Sequence, residues 1–182
     1  MTPWKTLSRR TIVQCPPFLT VELHEVEVTG GRVIPDWTWV ITPDYINVLA
    51  ETVDGRFICF RQTKYAVEGT SLALVGGFIE PGEAPEAAAR RELQEETGYT
   101  SAEWTHAGTY AVDANRGLGR AHFFVARRSR PTLAKTADDL ELQELLLLTR
   151  AEIDQALFDG EFKALPWAAA VALGLRHLDR AR

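Results

Sequence analysis

Cysteine is scarce in this 182-residue chain, with only Cys15 and Cys59 present. Two unpatterned thiols are too few for a disulfide framework or a zinc site, so both read as buried or incidental small hydrophobes. Long apolar runs are missing too. No segment approaches the roughly 18 apolar residues that cross a bilayer, and the opening "MTPWKTLSRRTIVQCPPF" has no uninterrupted apolar stretch of the signal-peptide kind. A cytoplasmic protein with no membrane partner is expected. Excess positive charge is also absent: 20 Lys and Arg face 25 Asp and Glu, for a net charge of -5. That balance gives no reason to expect a nucleic-acid partner. The four histidines, His24, His106, His122 and His177, lack metal-ligand spacing and read as structural.

What is present fits one globular domain with a real core, at 46% hydrophobic and 25% charged residues. Phe18 to Val28 alternates apolar and polar residues, but the apolar phase flips between Leu23 and Val26, which predicts a strand with a bulge or a change of partner. Strand-like runs follow at 32–41, 45–53 and 56–62, the last two joined by the hairpin signal Asp54-Gly55. Further strands are expected at 102–112, 121–127 and 141–148. Thr149 and Glu152 form a capping box for a helix ending near Gly160, and Pro166 suits the first turn of a last helix. "RRSRPTLAKTADD", residues 127–139, is the one long polar loop. The order describes an α+β layered domain, residues 45–182, behind a strand-rich extension at 1–44.

Between these strands lies "GGFIEPGEAPEAAARRELQEETGY", residues 76–99. Pro85 at a first turn, a run of good helix formers and Gly98 in a C-cap position predict a helix over 85–97. At about 100° per residue, Glu92, Glu95 and Glu96 share one face. Like charges at this spacing repel, so they need either water or a cation. A solvated acidic face satisfies the first; a hard divalent ion held by oxygen ligands satisfies the second.

The spacing of Gly77, Glu83, Arg91-Glu92-Leu93, Glu95-Glu96 and Gly98 resembles the signature of the Nudix hydrolase family. Tyr99 stands where that signature most often has an aliphatic residue. The resemblance implies a Nudix fold, a mixed sheet sandwiched between helices. Carried over residue by residue, it implies Glu92, Glu95 and Glu96 as metal ligands with the Gly76 carbonyl as a further one, for Mg2+ or alternatively Mn2+. Glu83 and Arg91 are then expected to brace loop and helix as an ion pair, while Gly77 makes the turn without a Cβ clash.

The family cleaves nucleoside diphosphates linked to another group, by attack of water on phosphorus. In one branch the box glutamates, here Glu95 and Glu96, supply the general base. In the ADP-sugar branch it often comes from an acidic loop, which "TADDLELQELLLLT" resembles, with Glu141 the first candidate and Asp139 and Glu144 behind it; polar positions at an edge strand are the alternative. "FICFRQTKYAV" resembles the Arg-Gln-x-Arg segment of ADP-sugar pyrophosphatases and marks Arg61 as substrate-binding, although Lys64 replaces the second arginine and Val75 departs from the "LPAG"-like turn. The extension resembles that branch's dimer-building strands, so a homodimer is implied. Trp37 and Trp39 share a strand face there and can stack on a nucleobase, or else pack in a core or interface. Arg116 and Arg120, on a glycine-rich turn, can reach a phosphate or sugar, or simply sit on a solvated hairpin tip. The reading is hydrolysis of an ADP-ribose-like nucleoside diphosphate sugar. A triphosphate pyrophosphohydrolase and a non-catalytic sensor of an NAD-derived metabolite are the alternatives.

Overall fold

The computed structural model describes residues 3–132 and 143–180. In chain order the elements are β1 (Lys5–Cys15), β2 (Leu19–Glu27), β3 (Val33–Ile41), β4 (Tyr45–Thr52), β5 (Phe57–Lys64), β6 (Val67–Ala73), β7 (Val75–Phe78), α1 (Pro85–Thr97), β8 (Tyr99–Thr100), β9 (Glu103–Ala111), β10 (Arg120–Pro131), β11 (Gln143–Leu148), α2 (Arg150–Phe158) and α3 (Leu165–Arg180). They group into two compact units. The first runs to Asp44 and also takes in Tyr110–Arg120, and the second holds Tyr45–Thr109 and the chain from Ala121 onward.

The first unit is built on an antiparallel sheet in the order β1-β2-β3. Its β2–β3 register slips between His24 and Val26, where the apolar phase of the sequence flips. The extra residue lies on β3, where three steps separate Trp37 from Ile34 against two on β2, so β2 itself runs without a bulge there. Strand β1 was not expected: all eleven of its residues are exposed, so no burial periodicity marks it.

In the second unit the strand path is β11-β5-β4-β10-β8, with β6 on β5, β7 on β4 and β9 on β10. β4 and β10 run parallel while β4 and β5 are antiparallel, so the sheet is mixed. Strand side chains alternate between faces, and here the two faces feed two cores. Leu49, Phe57 and Cys59 join Ile153, Val171 and Leu175 beneath α2 and α3. Their neighbours Ile46, Val48, Ile58 and Phe60 join Ala88, Ala89 and Leu93 of α1. The sheet is therefore covered on both faces by helices, which is the α+β Nudix arrangement expected. Each fully buried Phe, Ile or Leu among them contributes about 1.5–3 kcal/mol.

Local chemistry sets the element ends. At the β4–β5 hairpin Gly55 adopts φ 77°, and the Thr52 hydroxyl donates to Asp54 Oδ1 at 2.6 Å. Thr149 and Glu152 make the reciprocal capping box at α2, and Gly160, at φ 73°, follows its end. Along α3, Gly174 packs so closely on the sheet that a Cβ would lie 2.6 Å from Leu49 Cδ2. Strands β6 and β7 escaped sequence reading because short, glycine-bearing segments show no clear period. Among the described residues, no helix is long and apolar enough to cross a membrane.

Candidate active site

Strand β7 lies antiparallel to β4, with Gly76 opposite Asn47 and Gly77 opposite Ile46, and delivers the chain to α1. That helix starts with Pro85 in its first turn and no side-chain cap. It stops at Gly98, whose φ of 74° and N–H to Gln94 carbonyl bond close the last turn. Its buried face is Ala88, Ala89, Leu93 and Thr97. Two alanines let the helix approach β4 and β7 closely, and this brings the glutamates flanking that face up to the glycine turn.

Arg91 organises the carboxylates. Its Nε and Nη2 donate to the two oxygens of Glu83, each at 3.0 Å, and Nη2 also donates to the Phe78 carbonyl at 3.2 Å. Nη1 donates to Glu92 Oε1 at 2.8 Å and to Glu95 Oε2 at 3.1 Å. Glu83 in turn accepts from the Glu80 amide at 3.1 Å. One guanidinium thus ties the loop to three carboxylates, a planar fork that lysine cannot reproduce. The bond from Arg91 holds the Glu83 carboxyl below its ordinary pKa. Glu92 moves the other way: burial raises its pKa, and Arg91 offsets this only in part. Glu96 accepts from the Gly76 amide at 3.1 Å.

The glycines matter through space rather than through dihedral freedom. A Cβ on Gly77 would sit 2.0 Å from Glu92 Oε1, and one on Gly76 would sit 2.3 Å from Asn47 Nδ2 and 2.8 Å from the Ile46 carbonyl oxygen. Neither glycine has positive φ. The turn expected of Gly77 is therefore a close approach of carboxylate to backbone.

Among the described residues, no three His, Cys, Asp or Glu side chains are gathered in metal-holding geometry. Glu92 and Glu95 close on Arg91 Nη1, and Glu96 closes on the Gly76 amide. The donor chemistry nonetheless suits a hard divalent ion: the side-chain donors are carboxylate oxygens, and one cationic N–H already lies between Glu92 and Glu95 as a stand-in. A buried Glu92 is also a group whose ionised form gains from a cation.

The other sequence-derived candidates are dispersed. Arg61 on β5 pairs with Glu161 at 2.8 Å, and Glu144 is its cross-strand neighbour on β11. Glu141 and Asp139 lie outside the described residues. In the first unit Trp37 and Trp39 both line a cavity of about 500 Å3, together with Trp4, Arg9, His24 and Asn115. Trp37 donates to the Asn115 carbonyl at 3.0 Å and meets Trp4 edge-on at 5.1 Å. Trp39 stacks on His24, with ring centroids 5.2 Å apart and planes 19° apart. Arg116 pairs with Asp113 at 3.1 Å, and the Arg120 amide donates to Asp44 Oδ1 at 2.8 Å. Arg116 and Arg120 border a second cavity that also meets Trp39.

Sequence reading passed over Asn47 and Glu161, which touch these places. Asn47 is buried with no hydrogen-bond partner for Oδ1 among the described residues. A polar residue inside the apolar run "YINVLAE" was its available signal. Glu161 carried none, because it meets Arg61 only through the tertiary fold.

Comparison with known proteins agrees with the geometry. The NUDIX domain profile matches residues 42–168, more than half of the chain. An ADP-ribose pyrophosphatase of Bacillus subtilis (strain 168) is 27% identical over 157 residues, covering 84% of this chain and 83% of its own. A methanol dehydrogenase activator of Bacillus methanolicus is 29% identical, over 75% of this chain and 72% of its own. A solved structure titled as an ADP compounds hydrolase superposes with a TM-score of 0.83, covering 100% of this chain and 97% of that one, at 20% identity.

Proposed function

This chain belongs to the NUDIX family and is a hydrolase of the pyrophosphatase type, and on that premise we propose that it hydrolyses the pyrophosphate bond of an ADP-ribose-like nucleoside diphosphate sugar. The products are a nucleoside monophosphate and a sugar phosphate. The observation that carries the reading is the placing of Glu92 and Glu96 against the Gly76–Gly77 backbone, with no room for a Cβ at Gly77 and with Arg91 joining Glu95 to Glu92. The relative named as an ADP-ribose pyrophosphatase, matched over 83% of its length, supports the substrate class.

In this proposal Glu92, Glu95, Glu96 and the Gly76 carbonyl hold Mg2+, with Mn2+ as a substitute. The ion when bound neutralises the diphosphate, polarises a phosphoryl oxygen and lowers the pKa of the attacking water. The protein's own residues do the rest. Arg91 and Glu83 tie helix to loop, and Arg91 holds Glu92 and Glu95 on one guanidinium nitrogen. Glu95 is the most exposed of the Arg91-bound carboxylates, with 42% of its side chain accessible, and with Glu96 and Glu141 it is a candidate to take the proton from water. Trp37 and Trp39 offer flat apolar faces for a nucleobase, and Asn115, whose carbonyl is already engaged by Trp37, sets the cavity edge. Arg61, Arg116 and Arg120 are proposed to contact phosphate or sugar oxygens. For Arg61 this requires exchange of its Glu161 partner. A cytoplasmic homodimer with the first unit at its interface completes the reading.

The test is turnover of a panel of ADP-ribose, other nucleoside diphosphate sugars, dinucleotides and nucleoside triphosphates, with Mg2+ or Mn2+ and a Glu96→Gln control. Nucleoside monophosphate plus sugar phosphate from ADP-ribose or a relative supports the proposal. Reaction of triphosphates alone overturns the substrate class, and binding without turnover overturns the enzymatic reading.

A further inference from the structure

We propose that the second unit carries a separate anion site for a small phosphate-bearing ligand, at the bulge of β10. It does not rest on the acidic helix. Residues 127–131 read "RRSRP", and the fold turns three of them, Arg127, Arg128 and Arg130, onto a cavity of about 310 Å3 that also meets Ser101, Glu103 and Thr132.

The backbone there is unusual. β10 and β4 stay in step to Ala126 opposite Ala50, then resume with Ser129 opposite Thr52, so β10 carries one extra residue. That residue is taken up at Arg128, the one non-glycine with positive φ among the described residues, at 54°. An arginine is a poor choice for a left-handed position where glycine or asparagine fits without strain. Such outliers cluster at functional sites, where the side chain is worth its backbone cost. The bulge also breaks the alternation of the strand, so that Arg127 and Arg128 can both serve one cavity.

The arginines are loosely held. Arg127 Nε lies 3.8 Å from Glu51 and Arg128 Nε lies 3.4 Å from Glu103. Arg127 Nε is buried with no hydrogen-bond partner among the described residues, and 57% of the Arg128 side chain is exposed. Among the described residues, three guanidinium groups against two carboxylates leave a local positive balance on a chain of net charge -5. The Thr132 hydroxyl at the rim shares a 3.3 Å bond with the Thr100 hydroxyl and donates to the Gly98 carbonyl at 3.4 Å, and it would exchange the latter bond for one to a phosphate oxygen. Planar guanidinium forks beside a hydroxyl match a tetrahedral phosphate, which accepts several bonds at once.

The site is not a lobe of the acidic one. Asn47, at the Gly76 end of β4, and Thr52, opposite Ser129, are five residues apart on one strand, or roughly 17 Å. The cavity suits inorganic phosphate or a small phosphate monoester, and the two sources share one chemistry.

The experiment is amide NMR of the full chain in EDTA, titrated with inorganic phosphate, with ribose 5-phosphate and with ribose. Saturable shifts confined to 100–103 and 127–132 are expected for both phosphates and not for ribose. Tighter binding of ribose 5-phosphate than of phosphate identifies an ester as the ligand, and equal binding identifies the free anion. Arg128→Gly and Arg130→Gln should each weaken binding at least fivefold. Arg128→Gly should keep or raise the melting temperature, because glycine accepts the φ, and Arg130→Gln leaves the backbone untouched should the first variant fold poorly. Absence of saturable shifts at these amides, an equal response to ribose, or unchanged affinity in both variants overturns the proposal.

Discussion

Helices α1 and α3 cover opposite faces of the same sheet, yet they are built for different work. α3 meets its core with Val171, Leu175 and Leu178, and Gly174 lets it touch Leu49. α1 buries Ala88, Ala89, Leu93 and Thr97, and only Leu93 of these is large. Small residues on α1 give up hydrophobic contact and gain proximity, so that Glu92 reaches the Gly77 backbone. One helix therefore secures the fold while the other positions charge, and the two should fail differently.

The largest expected effect is on α1. Glu96→Gln should lower turnover by about 10²–10⁴-fold, the range for loss of one positioned catalytic carboxylate, with little change in the unfolding midpoint. A matched loss of stability would break the contrast. On α3, Leu175→Ala should cost about 2–5 kcal/mol in chemical denaturation, while turnover per folded molecule stays near that of the parent. Gly77→Ala tests proximity itself. Its Cβ would meet Glu92 Oε1 at 2.0 Å, and displacement of that carboxylate should reduce turnover by about 10²-fold; unchanged turnover would refute the close-approach argument. Away from both helix faces, Thr149→Ala removes the α2 capping box and should cost about 1 kcal/mol, read as a shift in denaturation midpoint without a change in turnover.

Acid titration sharpens the comparison most finely. The carboxyl of Glu83 is held below its usual 4.5 by Arg91. Its contribution to stability is therefore complete above that value and lost as pH falls through the depressed one. Glu92 has the opposite sign. Burial raises its pKa above 4.5, so the fold binds its proton more tightly than the unfolded chain does, and stability from this group is lost as pH rises through the raised value. Glu83→Gln should flatten the acid limb of a stability-against-pH curve. Glu92→Gln should remove the decline above 4.5, and a parallel response of the two variants would refute the opposed assignments.

Periodicity and end signals served well wherever burial was one-sided or a cap was local. The α1 limits, the Thr149–Glu152 box and the Asp54-Gly55 hairpin are local matters, decided by neighbours within about four residues, and they read directly from the chain. β1 did not, because its residues are exposed on both faces and no burial pattern is imposed. β6 and β7 are short, and β7 carries two glycines, so propensity says little. Within the site, the acidic face of α1 was legible from helical geometry. Its partners Asn47 and Ile46 on β4 were not, since they reach Gly76 only across the sheet.

The sequence by itself determined the acidic helix, its caps, the family signature and the layered α+β class, because each follows from spacing along one element. Only tertiary structure decided how those carboxylates are held. Glu92 closes on the Gly77 backbone, Glu96 takes the Gly76 amide, Arg61 finds Glu161, and the bulge at Arg128 brings three arginines to one cavity. Charges interact through space at a few ångströms, and helix spacing can place them on one face, but only packing sets which group from another element arrives there.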